Sequence, residues 1–316
     1  MGLLPKDADI LPAYDDRLFK VIMTKPEAEP VLKFVSSGII ERRVENVQVR
    51  DTETPVSNIN EKVQRFDVNC LITDKSKNVF QADIEMQACR MPKEVGSSHE
   101  ILRARSIYNL CDLHAAQDSR GVEYNLLKRS YQVMFCAFPV FRGYSELIYR
   151  FSMRHDTDNW LLHNAIQSVF VDLTKLGKII KKPAEQMTDM EMFSIFLRYA
   201  DNPDYRDIVN RVIEKKGEIS VAAEVLMSVS KDENEWAILR NRRIAQMDYE
   251  SNLLTAKRIG RTEGRKEGRA EGKAEGRTEG IISVARNALI KGMSIADIAD
   301  ITGLTYKEIE RLRGLN

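Results

Sequence analysis

An α/β fold is predicted by the order of hydrophobic periods along this 316-residue chain. A helical period comes first, then three strand-like segments, a second helix and further strands. One of the later strands, Tyr131 to Phe138, is continuously apolar, as a strand covered on both faces should be. The apolar share of 43% supplies material for a core, and the length suits one large domain or two.

Taken in order, residues 15–37 carry Leu18, Phe19, Ile22, Met23, Val31, Leu32 and Val35 at helical spacing. Pro26 and Pro30 break this stretch into two shorter helices. Val44, Val47 and Val49 mark a first strand. Residues 98–117 return to a helical period, with Ile101, Leu102, Ile107, Leu110 and Leu113 expected on one side and Ser97 or Ser98 as cap. Strands are expected from Leu147 to Met153 and from Val169 to Leu173. Asp172 and Lys175, at the end of the latter, read as structural. From Asp189 to Ala256 the chain looks wholly helical, with Trp236, Ile238, Leu239 and Ile244 as packing residues.

Residues 260–280 form the one low-complexity segment. Glycine recurs every fourth position from Gly260 to Gly280, and Glu263, Glu267, Glu271, Glu275 and Glu279 each precede a glycine. On a helix, like charges four apart stack, and Glu263 with Lys266 is the single well-spaced opposite pair. Each interior glycine costs a further ~1 kcal/mol relative to alanine. A lone stable helix is therefore not expected: a solvated linker is one reading, and association of two such helices through the glycine row is the other. Beyond it, Ala299, Gly303 and Ile309 have helix-turn-helix spacing, with Ile298, Leu304 and Leu312 completing a small core. Tyr306, Lys307 and Arg311 suit a DNA groove, whereas Glu308 and Glu310 oppose phosphate and favour a docking hairpin.

Chemistry concentrates in the second and third strand segments, Lys62 to Ile72 and Val79 to Gln87. The polar stretch Thr73 to Asn78 has turn chemistry and joins them as a hairpin. Strand side chains alternate, so Asp83, Glu85 and Gln87 share one face, and Arg65, Asp67 and Asn69 share one on the neighbour. Carboxylates gathered on apolar strands repel unless a cation neutralises them, which points to a divalent metal on oxygen ligands. The competing reading is an ordinary solvated strand face.

Other classes find little support. The net charge of +1 argues against wholesale attraction to nucleic acid, though a local basic patch is compatible with it. Cys70, Cys89, Cys111 and Cys136 form no CxxC pair, which excludes a zinc ribbon and fits reduced thiols in a cytoplasmic protein. His99, His114, His155 and His163 lack ligand spacing, and no phosphate-binding GxxxxGK[ST] loop occurs. Met1 to Ile10 lacks the pattern of a signal peptide, and Val133 to Phe141 is too short to span a bilayer.

The order of several short motifs resembles one family. Asp16-Arg17-Leu18-Phe19-Lys20, Phe66-Asp67-Val68, Ile84-Glu85-Met86-Gln87, Arg105-Ser106-Ile107-Tyr108, the glycine–glutamate repeat and Ile301-Thr302-Gly303-Leu304 appear in turn. Together they resemble the Rpn family of recombination-promoting nucleases and transposases, a branch of the PD-(D/E)XK nucleases. The resemblance implies a PD-(D/E)XK nuclease-like mixed sheet flanked by helices at residues 10–180, and a helical region at 181–256. A charged linker at 257–280 and a helix-turn-helix-like tail at 281–316 follow.

It also implies a DNA endonuclease that uses Mg²⁺, with Mn²⁺ as a substitute, and promotes recombination or serves a mobile element. Asp67 matches the first metal-binding aspartate, and Glu85 the acidic residue of the (D/E)xK element. The Met86 carbonyl is a further donor, and Gln87 stands where most of the superfamily has lysine. Gln87 orients water but brings no charge, so some of the lysine's role passes to Lys20, to a second metal or to the substrate phosphate itself. Asp16 is either an outer helper or a helix cap, and Asp83 either a supporting carboxylate or, more in keeping with its face, a surface residue. The alternative function is a catalytically inactive DNA-binding or regulatory protein. Self-association through residues 257–316 is a further expectation.

Overall fold

The computed structural model describes residues 3–50, 67–88, 98–117 and 123–314. Two compact units divide at Arg240 and Asn241. In the first, Asp15 begins helix α1 (Asp16–Thr24) by accepting from the Arg17 and Leu18 amides. Pro26 starts a single 3₁₀ turn and Pro30 lies in the first turn of α2 (Glu29–Ile40), so the predicted break is real.

Six strands follow: β1 (Val44–Val49), β2 (Val68–Asp74), β3 (Val79–Gln87), β4 (Arg129–Cys136), β5 (Ile148–Phe151) and β6 (Ile166–Asp172). Helix α3 (Ser98–Ala115) lies between β3 and β4 in sequence. The sheet order is β1-β2-β3-β4-β6-β5, with β3–β4 and β4–β6 parallel and the remaining pairs antiparallel. Parallel neighbours need a crossover, and α3 supplies it between β3 and β4. Central β4 is buried from Ser130 to Cys136, as its apolar run predicts.

The two sheet faces differ. Val68, Cys70, Ala82, Ile84, Tyr131, Val133 and Phe135 pack with α1, α2 and the later helices α4 (Asp189–Tyr199), α5 (Arg206–Lys215) and α6 (Gly217–Ser230) into the main core. The other face lies under α3 and is more polar. Its apolar share is the smaller cluster of Leu102, Met134, Cys136 and Phe170 with neighbouring loop residues. On α3 the expected apolar side is only partly right: Leu102, Leu110 and Leu113 are buried, but Ile107 is 61% exposed. Ser106 and Asn109 take the inward positions instead. The cap position Ser97 falls outside the described residues. Asp172 is structural, accepting from the Val140 and Thr174 amides and the Thr174 hydroxyl.

Helix α7 (Glu233–Ile290) is 58 residues long. Trp236 and Leu239 pack on the first unit's core, whereas Ile238 and Ile244 are exposed, contrary to their expected role. The glycine repeat is helical throughout and exposed at every position from 260 to 280, where a lone stable helix was not expected. Apart from Thr262 and Thr278, the residues between the glycines are Arg, Lys, Glu and Ala, all strong helix formers, and helix enters from both sides, so no new nucleus is needed.

In the second unit, α8 (Ile295–Thr302) and α9 (Tyr306–Arg313) meet at Gly303, whose φ of 73° is the left-handed conformation that glycine tolerates. Ile298 and Ile309 are buried with Ala285 and Ala288 of α7, so the predicted two-helix hairpin is a three-helix cluster. Glu308 closes a capping box with Thr305, which gives that acid a structural use. Among the described residues no helix is long and apolar enough to cross a membrane.

Candidate metal centre

The β2–β3 register sets Asn69 opposite Asp83 and Val68 opposite Ile84. One residue earlier on the β2 side, Asp67 therefore arrives opposite Glu85. Its carboxylate accepts a long hydrogen bond of 3.4 Å from the Met86 amide. Burial raises the Asp67 carboxyl to about 6, and the Glu85 charge adds to the effect. The Met86 hydrogen bond lowers it, Asp16 raises it further, and Lys20 pulls it back down. Asp16 and Lys20 of α1 are thus brought within electrostatic reach of the hairpin. The cap reading for Asp16 belongs to its neighbour Asp15.

Glu85 is 4% exposed and held by four donors. Arg105 Nη2 donates to Oε2 at 2.8 Å, and Gln87 Nε2 to the same oxygen at 3.0 Å. Asn109 Nδ2 donates to Oε1 at 2.7 Å and Gln132 Nε2 at 3.1 Å. Arg105 and Asn109 are four apart on α3, hence neighbours on the side that covers the sheet. Arg105 appeared in the sequence only as part of a motif, and the roles of Asn109 and Gln132 were missed. Gln132 left one signal, a lone amide inside an otherwise apolar strand.

Asp83 is fully buried, which overturns the surface reading. Alternation did place it beside Glu85, but α3 closes that face to water. Both its oxygens are sealed from solvent without a well-formed hydrogen bond, as are Asn69 Oδ1 and Gln132 Oε1. These three residues form a row across β2, β3 and β4. Burial and then the Glu85 charge push the Asp83 carboxyl well above its ordinary range, and the Gln132 amide offsets this only in part. Behind the row, burial raises the Cys70 thiol to about 12, which removes it from nucleophilic chemistry.

The donor set fits a hard divalent cation in a limited way. Among the described residues no group of three or more acidic, histidine or cysteine side chains converges on one point. Asp67 and Glu85 offer two carboxylates, and magnesium commonly binds through one or two with waters completing its shell. Asp67 has accepting capacity left, and its pKa is raised first by burial and then by the Glu85 charge, both of which a bound cation would offset. At Glu85 Oε2 a cation competes with Gln87 and Arg105.

A mixed α/β sheet with paired carboxylates on an antiparallel hairpin beside a parallel crossover defines a nuclease-like core. A family model described as PD-(D/E)XK nuclease family transposase matches residues 13–256. The chain belongs to this family of nuclease-like transposases, whose relatives typically use divalent metals and act on DNA. No curated protein and no solved structure matches the chain.

Proposed function

We propose that the chain is a metal-dependent DNA endonuclease, active with Mg²⁺ and with Mn²⁺ as a substitute. The observation that carries this reading is the placement of Asp67 opposite Glu85 near the C-terminal end of β3. Asp67 and Glu85 hold the ion, with the Met86 carbonyl as a further donor. When bound, the ion supplies Lewis acidity and positive charge at the scissile phosphate.

The chain's own residues do the rest. Gln87 orients the attacking water by hydrogen bonding and stays neutral. Arg105 supplies the fixed positive charge that a lysine gives elsewhere in the superfamily, with Lys20 a second source. Asn109 and Gln132 hold Glu85 Oε1 and so fix which oxygen is presented. Water adds across one P–O bond, which breaks to leave a phosphate monoester and a hydroxyl. Such breaks in cytoplasmic DNA promote recombination or serve a mobile element.

Self-association through residues 257–316 and DNA or protein docking by α8 and α9 belong to the same proposal. A second reading has its own support. Glu85 already has four donors and the lysine is missing, as suits a DNA-binding or regulatory protein that has lost catalysis. Supercoiled plasmid incubated with the full chain separates the two. Nicking with Mg²⁺ that stops with EDTA supports the enzyme; intact plasmid with both Mg²⁺ and Mn²⁺ supports the silent protein.

A further inference from the structure

At the other end of β3 lies a cavity of about 480 Å³ that the nuclease reading does not use. Its charged lining is Arg42, Lys128 and Arg129, with the amides of Asn78 and Asn164 beside them and Phe80 at its apolar wall. Among the described residues no acidic side chain lines it. Phe80 pairs with Arg129 at the start of the parallel β3–β4 ladder. Glu85 is five residues further along, or about 16 Å at ~3.3 Å per residue, and points to the opposite face.

Of the three cations, Arg42 alone is paired with an acid among the described residues. Arg129 stacks on the Tyr131 ring at 4.7 Å, its Nε is buried without a hydrogen-bond partner, and it forms no salt bridge among the described residues. Lys128 is exposed and likewise has no ion pair among them. Arg42 sits over the Phe80 ring and pairs with Asp74 at 3.2 Å, with half of its side chain exposed. Desolvation lowers the Arg129 pKa from its ordinary value, as do the nearby Arg42 and Arg150 charges, while Tyr131 and Glu41 oppose the shift. The wall is tethered rather than loose: the Gln117 amide of the α3 end bonds both the amide and the carbonyl of Lys128, at 2.8 and 2.9 Å.

We propose that this cavity binds a phosphate monoester of nucleotide size, at a site separate from the paired carboxylates. Clustered guanidinium and ammonium groups with amide donors suit phosphate oxygens, and the volume lies in the range of small-ligand pockets. The phosphate comes either from a free mononucleotide or from the phosphorylated end of a DNA strand. Nothing in this assignment depends on the chain being an active nuclease.

The test is calorimetric titration of the full chain in EDTA, so that the carboxylate site contributes no metal-mediated binding. The probes are inorganic phosphate, adenosine 5′-monophosphate, and one oligodeoxynucleotide with and without a 5′-phosphate. Binding of the monophosphate identifies a free nucleotide; binding only of the phosphorylated oligonucleotide identifies a DNA end. Either affinity should fall at least tenfold in Arg129→Gln and in Lys128→Gln. Lys128 is exposed, so its variant decides the matter even if loss of the Tyr131 stacking unfolds the other. No binding by any probe, or binding undiminished in the folded variants, overturns the proposal.

Discussion

Arg105 Nη2 donates to Glu85 Oε2 across 2.8 Å, so a cation from α3 already rests on the carboxylate that the sheet brings opposite Asp67. The pair is unequal: the Glu85 side chain is 6% exposed and that of Arg105 36%. A charge held this way at the mouth of a buried acidic site can act on substrate while it orders the acid behind it.

Arg105→Ala is expected to lower plasmid nicking about 10²–10³-fold, the usual effect of losing one preorganised charge or donor. Stability should fall by only ~1–3 kcal/mol, because Glu85 keeps three other donors. Arg105→Lys should recover part of the rate, since it restores charge without the planar fork. Full nicking by a folded Arg105→Ala variant removes Arg105 from the mechanism.

Gln87→Lys should raise the nicking rate about tenfold, equivalent to ~1.4 kcal/mol in the barrier. The substitution adds a charge beside the Glu85 oxygen that Gln87 now contacts. A folded variant with unchanged or lower activity shows that Arg105 and Lys20 already fill the role, or that lysine is misplaced here.

Much of this site was legible in the sequence because a hairpin obeys two simple rules. Alternation and the polar turn at Thr73 to Asn78 set Asp67 against Glu85 without reference to anything distant. Asp83 was misread because a polar strand face looks solvated until something covers it. The cover, α3, was recognisable as a helix, but its inward side carries Arg105, Ser106 and Asn109 where an apolar stripe was sought. Gly260 to Gly280 was misread for another reason. Glycine cost was counted residue by residue, while the helical state there is continuous with ordered turns at both ends.

Asp74 gives a pH-dependent test of the hairpin. Its carboxylate accepts from the Asn78 side chain and amide and from Arg42. The Asn78 side-chain bond leads the effects that hold it below its usual range. A depressed folded value contributes stability above the unfolded value of about 3.9, and loses it as pH falls through the folded one. Asp74→Asn should therefore melt earlier than the parent between pH 5 and 7, as roughly bracketed by these values. The gap should close below about pH 4. A gap that is constant with pH contradicts the ionised role.

Removal of residues 257–316 tests self-association. Within the removed segment, Ile259, Val284 and Ile290 are exposed on α7, and a Cβ added at any glycine from Gly260 to Gly280 would meet nothing within 4 Å beyond the helix's own adjoining backbone. Light scattering should show the full chain as an oligomer and the truncated chain as a monomer. An unchanged oligomeric state places assembly elsewhere.

On the proposed function, Asp67 and Glu85 share one divalent ion used to cut DNA. The most direct measurement combines Mn²⁺ titration and plasmid nicking on the parent, Asp67→Asn and Glu85→Gln, each first shown to melt cooperatively. Each single substitution is expected to weaken Mn²⁺ binding at least ~10-fold and to abolish detectable nicking. Folded variants that bind Mn²⁺ and nick plasmid as the parent does would contradict that function.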